Sequence, residues 1–310
     1  MKRFFRRHAT LWMLIGFCLL LGLFLSLRTG IFFTGRNLIN ILEANSFKLL
    51  LAIGMTFVIA SGGIDLSVGS ILSLSAIFTA LCMKQNIPVW LAILVGLLSG
   101  ILMGLINGAL IHFTGINAFI ITLGTSFLYR GLALIVTRGT PVSKLPAAYR
   151  AFGGGDIFQV ESGVYMALLV LFLSIPLLYK MRWGHYITTL GGNPVALRRC
   201  GVRTGAWRIS TFAVMGFLAA LAGIIISARL NSAEPNAGLN MEMDAITAVI
   251  LGGTPLHGGS TAVAVLLLGT IRNGLTLMSV SSYYQQFITG AILLCAVVTA
   301  EIRERRRRLH

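Results

Sequence analysis

The sequence predicts an all-α, polytopic membrane bundle, and three observations carry that reading. Of the 310 residues, 56% are hydrophobic and only 11% charged, with a mean hydropathy of +0.86. A water-soluble domain carries about 25% charged residues, so this chain cannot cover a globule in water. The apolar residues fall into ten runs, which must be helical because lipid offers no partner to unpaired backbone groups. They do not alternate as the strands of a membrane β-barrel do. The 25 Lys and Arg residues gather at the ends of the runs. The net charge of +16 therefore marks membrane topology, and no nucleic-acid partner is expected.

The first run, 10–27, resembles a signal peptide in its basic start, but no small-residue cleavage site follows and its length spans the hydrocarbon. It reads as a retained helix. The others are 49–61, 66–83, 89–111, 118–136, 164–179, 209–228, 245–251, 261–278 and 287–300. Residues 1–310 thus read as one transmembrane domain of ten helices. Lys2, Arg3, Arg6 and Arg7 place the N-terminus in the cytoplasm. Counting crossings puts loop 180–208 inside, with Lys180, Arg182, Arg198, Arg199, Arg203 and Arg208, and loop 137–163 outside. The arginine-rich tail (Arg303, Arg305, Arg306, Arg307, Arg308) also falls inside, so an even number of spans fits.

Two runs, 49–61 and 245–251, are too short to cross a bilayer. Each stops at a Gly-Gly pair and leads into the same frame, Gly-Gly-x-x-Leu-x-x-Gly-Ser. The first copy is Gly62, Gly63, Ile64, Asp65, Leu66, Ser67, Val68, Gly69, Ser70. The second holds Gly252, Gly253, Thr254, Pro255, Leu256, His257, Gly258, Gly259 and Ser260. Gly-interrupted short segments at matching places in two halves point to broken helices beside a transport path; plain helix-turn-helix ends at the interface are the other reading. Asp65 is expected to cap the helix after its frame, since anions favour a helix N-terminus. Pro255 starts a helix equally well in the second copy.

Loop 180–208 contains its own helix signals. Asn193 suits an N-cap, Pro194 the first helical position, and Gly201 the left-handed residue past a helix end. They frame a helix of about two turns over 194–200 (Pro194, Val195, Ala196, Leu197, Arg198, Arg199), too short to be stable without a packing partner. It reads as a docking helix for a soluble protein, against the plainer reading of a solvated basic loop.

No G-x-x-x-x-G-K-[ST] occurs, so the chain binds no ATP through a phosphate loop. No metal spacing joins the five His or four Cys residues, and no HExxH or G-x-S-x-G is present. No catalytic residue and no metal are expected. The charged residues expected inside the membrane are Asp65, between two runs, and Arg130 and Arg272 within runs, with Lys48 and Asp244 at run edges. Each marks a functional candidate because burying charge in lipid is costly. For Arg130 and Arg272, snorkelling or pairing with helix-end carbonyls is the expected arrangement.

The same blocks carry a family resemblance. Residues 52–59 running into the 62–70 frame, then Phe119, Ile120, Ile121, Thr122, Leu123 and Gly124 with Arg130 and Gly131, the 191–202 segment, and Asp244, Ala245 and Ile246 with Gly252 and Gly253 together resemble the permease subunits of bacterial ATP-binding-cassette importers for monosaccharides, the ribose, galactose, arabinose and autoinducer type. The resemblance implies an inner-membrane subunit that pairs with a second permease copy or a paralogue. It implies two ATP-binding subunits that hold the ATP and Mg, and a periplasmic sugar-binding protein. Helix 194–200 would be the coupling helix, and Gly62, Gly63, Asp65, Leu66, Ser67, Gly69, Gly252, Gly253, Gly258 and Gly259 would belong to the family's translocation motifs. Asn107, Thr122 and Asn273 could line the sugar path, or they could serve helix-helix hydrogen bonds. Where the family commonly has Pro, this chain has Asn117, which supplies an N-cap instead. A secondary carrier driven by an ion gradient is the rival reading; it would need no ATPase.

Overall fold

The computed structural model describes residues 9–252, 258–281, 283–292, 294, 295 and 298, without the side chains of 9–11, 13 and 258–263. Its helices are α1 (Ala9–Thr29), α2 (Gly35–Ala60), α3 (Val68–Lys84), α4 (Val89–Thr114), α5 (Ala118–Thr137), α6 (Ala147–Gly154), α7 (Ser162–Tyr179), α8 (Arg182–Gly192), α9 (Pro194–Arg199), α10 (Thr204–Leu230), α11 (Met241–Leu251) and α12 (Gly258–Leu277). Each of the first nine apolar runs falls on a helix. Five (α2, α4, α5, α7 and α10) are long and apolar enough to cross a membrane, so the chain is a multi-pass membrane protein. Leu98, Leu102, Phe113, Phe127, Ile135 and Phe172 stand exposed on α4, α5 and α7, as lipid-facing side chains must.

The chain packs as two compact units, one of Met1–Asn45 with Met243–His310 and one of Ser46–Glu242. In the larger unit α3, α4 and α10 form the core. Gly96, Gly100, Gly104 and Gly108 make a four-step ladder along α4. A Cβ on Gly104 would collide with the Phe212 carbonyl oxygen, and one on Gly108 would lie 2.7 Å from the Ile209 Cα. Small residues at every fourth position let two helix backbones approach closely, which in lipid replaces the hydrophobic drive to associate. Gly223 on α10 meets the Leu72 backbone of α3 in the same way.

Loop 137–163 carries short elements of its own. β1 (Val142–Ser143) pairs antiparallel with β4 (Ser232–Ala233), and β2 (Asp156–Ile157) with β3 (Val160–Glu161). Between them α6 seats Tyr149 against α10, its hydroxyl 2.6 Å from Ser227 Oγ. Arg229 at the end of α10 pairs with Glu161 at 2.8 Å.

In the smaller unit α1 packs on α12. Leu25, Phe32 and Ile41 are buried together, with Leu21 and Leu277 against them. Asn37 and Asn273 exchange amide hydrogen bonds of 3.1 and 2.9 Å. Arg272 of α12 pairs with Asp244 of α11. An intramembrane cation is thus met by an acid, not by snorkelling or by helix-end carbonyls, because protein-facing charge in lipid needs a counter-charge.

One expectation is corrected outright. Run 49–61 is not an undersized helix, since α2 has 26 residues. Hydropathy stops counting at Lys48, but Asn37, Glu43 and Asn45 further back are buried, and Asn45 donates 2.6 Å to the Ile41 carbonyl oxygen. Polar side chains bonded inside the protein do not end a helix. The short helix is the one after the frame: α3 has 17 residues and is almost wholly buried. Run 245–251, extended back to Met241, gives the 11-residue α11.

Candidate functional site

The first Gly-Gly frame is a true break. Helix α2 ends at Ala60 and α3 starts at Val68, with Gly62 at φ +82°, a left-handed conformation that glycine adopts without cost. The intervening backbone is bonded from several sides. Gly63 N–H donates to the Val58 carbonyl oxygen at 3.0 Å. Leu66 N–H donates 3.1 Å to Thr122 Oγ1, while the Thr122 hydroxyl donates 2.8 Å to the Ala118 carbonyl oxygen.

Asp65 is fully buried and has a different job from the one expected. Its Oδ1 accepts from Ser67 N–H at 2.8 Å and from the Ser67 hydroxyl at 2.6 Å. It therefore closes a turn two residues long. The N-cap of α3 is Ser67, whose carbonyl oxygen accepts from Ile71 N–H at 2.8 Å. Asp65 does not cap the helix because its carboxylate reaches Ser67 and no amide of the first turn. Asp65 Oδ2 is buried without a hydrogen-bond partner among the described residues. Ser67 Oγ also accepts 2.7 Å from Asn107 Nδ2, and Asn107 Oδ1 accepts 3.2 Å from the Tyr129 hydroxyl.

Asn107 and Thr122 are both fully buried, and their hydrogen bonds go to the break and the helices around it. Tyr129 completes the group. Asn273 belongs to the smaller unit, half-buried in its pair with Asn37. Sequence reading overlooked Tyr129 and the α4 glycine ladder that surrounds Asn107; the ladder's spacing is visible in the sequence, whereas the tyrosine's partners are not.

Past the break, Gly69 on α3 fits tightly against segment 231–240. A Cβ there would strike the Gly238 carbonyl oxygen and lie 2.9 Å from the Glu242 carboxylate. Arg130 holds that segment in place. Its guanidinium donates to the Pro235 carbonyl oxygen, to that of Ala237 at 2.8 Å and to Ser73 Oγ at 3.0 Å. It does pair with carbonyls, as expected, but with those of a non-helical segment and not of a helix end. Lys48 is half-buried on α2.

The predicted loop helix is present over Pro194–Arg199. Asn193 Oδ1 accepts from Ala196 N–H at 2.9 Å, and Gly201 is left-handed at φ +77°. Leu197 is buried, whereas Val195, Ala196, Arg198 and Arg199 are exposed. One side chain anchors the helix and the rest of it faces outward. The helix before it, α8, escaped sequence reading. It is seated by Ile187 and Leu190, both fully buried, and by Trp183, which packs edge-on against Phe57 at 5.1 Å and donates 3.0 Å to Ser210 Oγ.

Of the second frame, Gly252 ends α11 with its N–H donating 2.9 Å to the Ala248 carbonyl oxygen. Gly258 and Gly259 begin α12. Gly253, Thr254, Pro255, Leu256 and His257 lie outside the described residues, as do the basic ends of the chain. At Asn117 the cap forms as expected, its Oδ1 accepting 2.9 Å from Phe119 N–H at the start of α5.

Comparison with known proteins sets this geometry in a family. The ribose import permease protein of Haemophilus influenzae is 38% identical over 276 residues, covering 86% of this chain and 85% of its own. That of Bacillus subtilis is 39% identical over 290 residues, 90% of each chain. The D-allose transport system permease protein of Escherichia coli is 35% identical over 300 residues, 95% of this chain and 91% of its own. No solved structure matches the chain. The family model described as branched-chain amino acid transport system, permease component, matches residues 37–297, and the chain belongs to that family: it is a multi-pass transport permease.

Proposed function

We propose that this chain is the permease subunit of an ATP-binding-cassette importer that carries a monosaccharide from the periplasm to the cytoplasm across the bacterial inner membrane. The observation that carries this reading is 35–39% identity, over most of the chain, to permeases named for ribose and allose. The family description names branched-chain amino acids, but the relatives that align this fully carry sugar names, so sugar is the substrate class.

In this reading ten helices span the membrane with both termini in the cytoplasm. Two permeases, either two copies or this chain with a paralogue, sit on two ATP-binding subunits that hold the ATP and Mg. A periplasmic sugar-binding protein delivers the substrate and sets its identity. Helix α9 docks on the ATPase through its exposed Val195, Ala196, Arg198 and Arg199, and Leu197 ties it to the permease. Closure of the ATPase dimer moves α9, and the permease pair opens outward. Asn107, Thr122 and Ser67 keep the break ordered while the helices around it shift.

A second reading has one observation in its favour. Asp65 Oδ2, buried and without a hydrogen-bond partner among the described residues, is the kind of intramembrane acid an ion-coupled carrier uses. The experiment that tests the first reading expresses the chain with a cognate ATP-binding subunit and sugar-binding protein. Copurification of the ATPase, and ATP-dependent uptake of one monosaccharide among ribose, allose and arabinose, are expected. Uptake of leucine and of none of the sugars would overturn the substrate assignment.

A further inference from the structure

The break meets the end of α8, the helix directly ahead of the docking helix, and at Gly191 the approach is backbone on backbone. Gly191, in the last turn of α8 and two residues before the cap Asn193, lies directly on the end of α2. A Cβ at position 191 would collide with the Ala60 carbonyl oxygen and come within 2.9 Å of Gly62 N. Conversely, a Cβ at Gly62 would lie 3.2 Å from the Gly191 Cα. Position 192, one residue on, has nothing within 4 Å of the same point. Only the first glycine of this Gly-Gly pair is required by packing.

The geometry points to Gly191 as the positioning residue through which movement of α9 is delivered to the 62–67 break, an inference that rests on the docking role proposed for α9. Three features support it. First, α8 and α9 meet at one residue, the non-helical Asn193 (φ −153°, ψ 85°), which ends the first and caps the second. Asn193 N–H donates 2.8 Å to the Thr189 carbonyl oxygen in α8, while its own carbonyl oxygen accepts from Leu197 N–H at 3.3 Å in α9. The joint between the two helices is hydrogen-bonded in both directions. Second, the contact is backbone on backbone. Interfaces packed this closely shift between discrete arrangements and do not deform smoothly. Third, the receiving segment leads straight into the buried group. Gly62 to Ser67 is a segment of six residues, which holds Asp65 and makes the bonds to Thr122 and Asn107. A displacement at Gly62 that lengthens the Leu66–Thr122 bond releases the start of α3.

The test compares Gly191→Ala with Gly192→Ala in the full assembly of permease, ATPase and sugar-binding protein, reconstituted with ATP and ribose. Both variants are expected to copurify with the ATPase; Gly192→Ala should unfold at the wild-type temperature and Gly191→Ala at a lower one, because its Cβ meets backbone. Gly191→Ala should raise the ATP hydrolysed per ribose carried by about 3- to 30-fold, the range for residues along a coupling route. Gly192→Ala should leave that ratio unchanged. A merely structural role for Gly191 would lower the unfolding temperature or ATPase binding and leave the ratio alone. Should Gly191→Ala fail to accumulate, one glycine inserted between Gly192 and Asn193 breaks the joint without touching the contact, and the same rise in ATP per ribose is expected. Equal ratios for wild type and both substitutions, or normal coupling with the inserted glycine, would overturn the proposal. If the wild-type permease bound no ATPase at all, the docking role itself would fall, a result distinct from either.

Discussion

The 62–67 break and the 193–201 turn are both glycine-marked interruptions, and they are held in opposite ways. The break is buried from Asp65 to Ser67, and distant side chains bond it there: Thr122, Asn107 and, behind Asn107, Tyr129. The turn is exposed and held by its own sequence, through Asn193, Pro194 and Gly201, with Leu197 as its one buried anchor. The difference separates two tasks. A segment that must keep its shape inside lipid recruits partners from other helices, because each unpaired backbone group there is expensive. A segment that meets a soluble partner presents a surface and needs only local caps to stay folded.

The contrast can be broken by substitution, with effects that should fall in order. Asn107→Leu leaves Ser67 Oγ without its amide donor and the Tyr129 hydroxyl without the Asn107 acceptor. Ser67 keeps Asp65 Oδ1 and Tyr129 keeps the Met103 carbonyl oxygen, so what is lost is two buried hydrogen bonds, about 0.5–1.5 kcal/mol each. The unfolding temperature of the detergent-solubilised permease should drop clearly; a wild-type melting curve would mean the network does not hold the break. Asn193→Ala removes only an exposed cap, with a local cost of about 1 kcal/mol. Global unfolding should barely change, while hydrogen exchange at the amides of 195–197 speeds up. Unchanged exchange there would mean that the cap is idle. Arg199→Glu should leave stability where it is and weaken ATPase copurification, since it alters only the exposed face. A stability loss as large as that of Asn107→Leu would erase the distinction between the two regions.

Legibility in the sequence follows the same line. The caps at Asn193 and Asn117 could be read because each partner is two or three residues away. The Gly-Gly break could be located, but not its support, because Thr122 lies 56 residues from Leu66 and Asn107 lies 40 from Ser67. Hydropathy understates the length of α2 because it treats Asn37, Glu43 and Asn45 as water-seeking, whereas all three are buried. Charge and position point Asp65 at the helix cap. Its carboxylate instead closes the turn ahead of Ser67. Helix α8 lacked a signal because Gly184, Gly191 and Gly192 lower its intrinsic propensity; Ile187 and Leu190, packed into the fold, provide what propensity does not. The four-residue spacing of Gly96, Gly100, Gly104 and Gly108 is visible in the sequence, but which helix it faces is not: Gly100, Gly104 and Gly108 meet α10, and Gly96 meets Thr79 and Ser75 of α3.

The central claim is that this permease moves sugar only when a separate ATPase drives it. Proteoliposomes containing the chain alone, or the chain with its ATP-binding subunit and sugar-binding protein, separate that claim from its rival. Labelled ribose is offered outside, with either ATP inside or an imposed proton or sodium gradient. The account predicts accumulation only in the complete assembly and only with ATP. Accumulation by the chain alone under an ion gradient would contradict it, and would move Asp65 from holding a turn to coupling an ion.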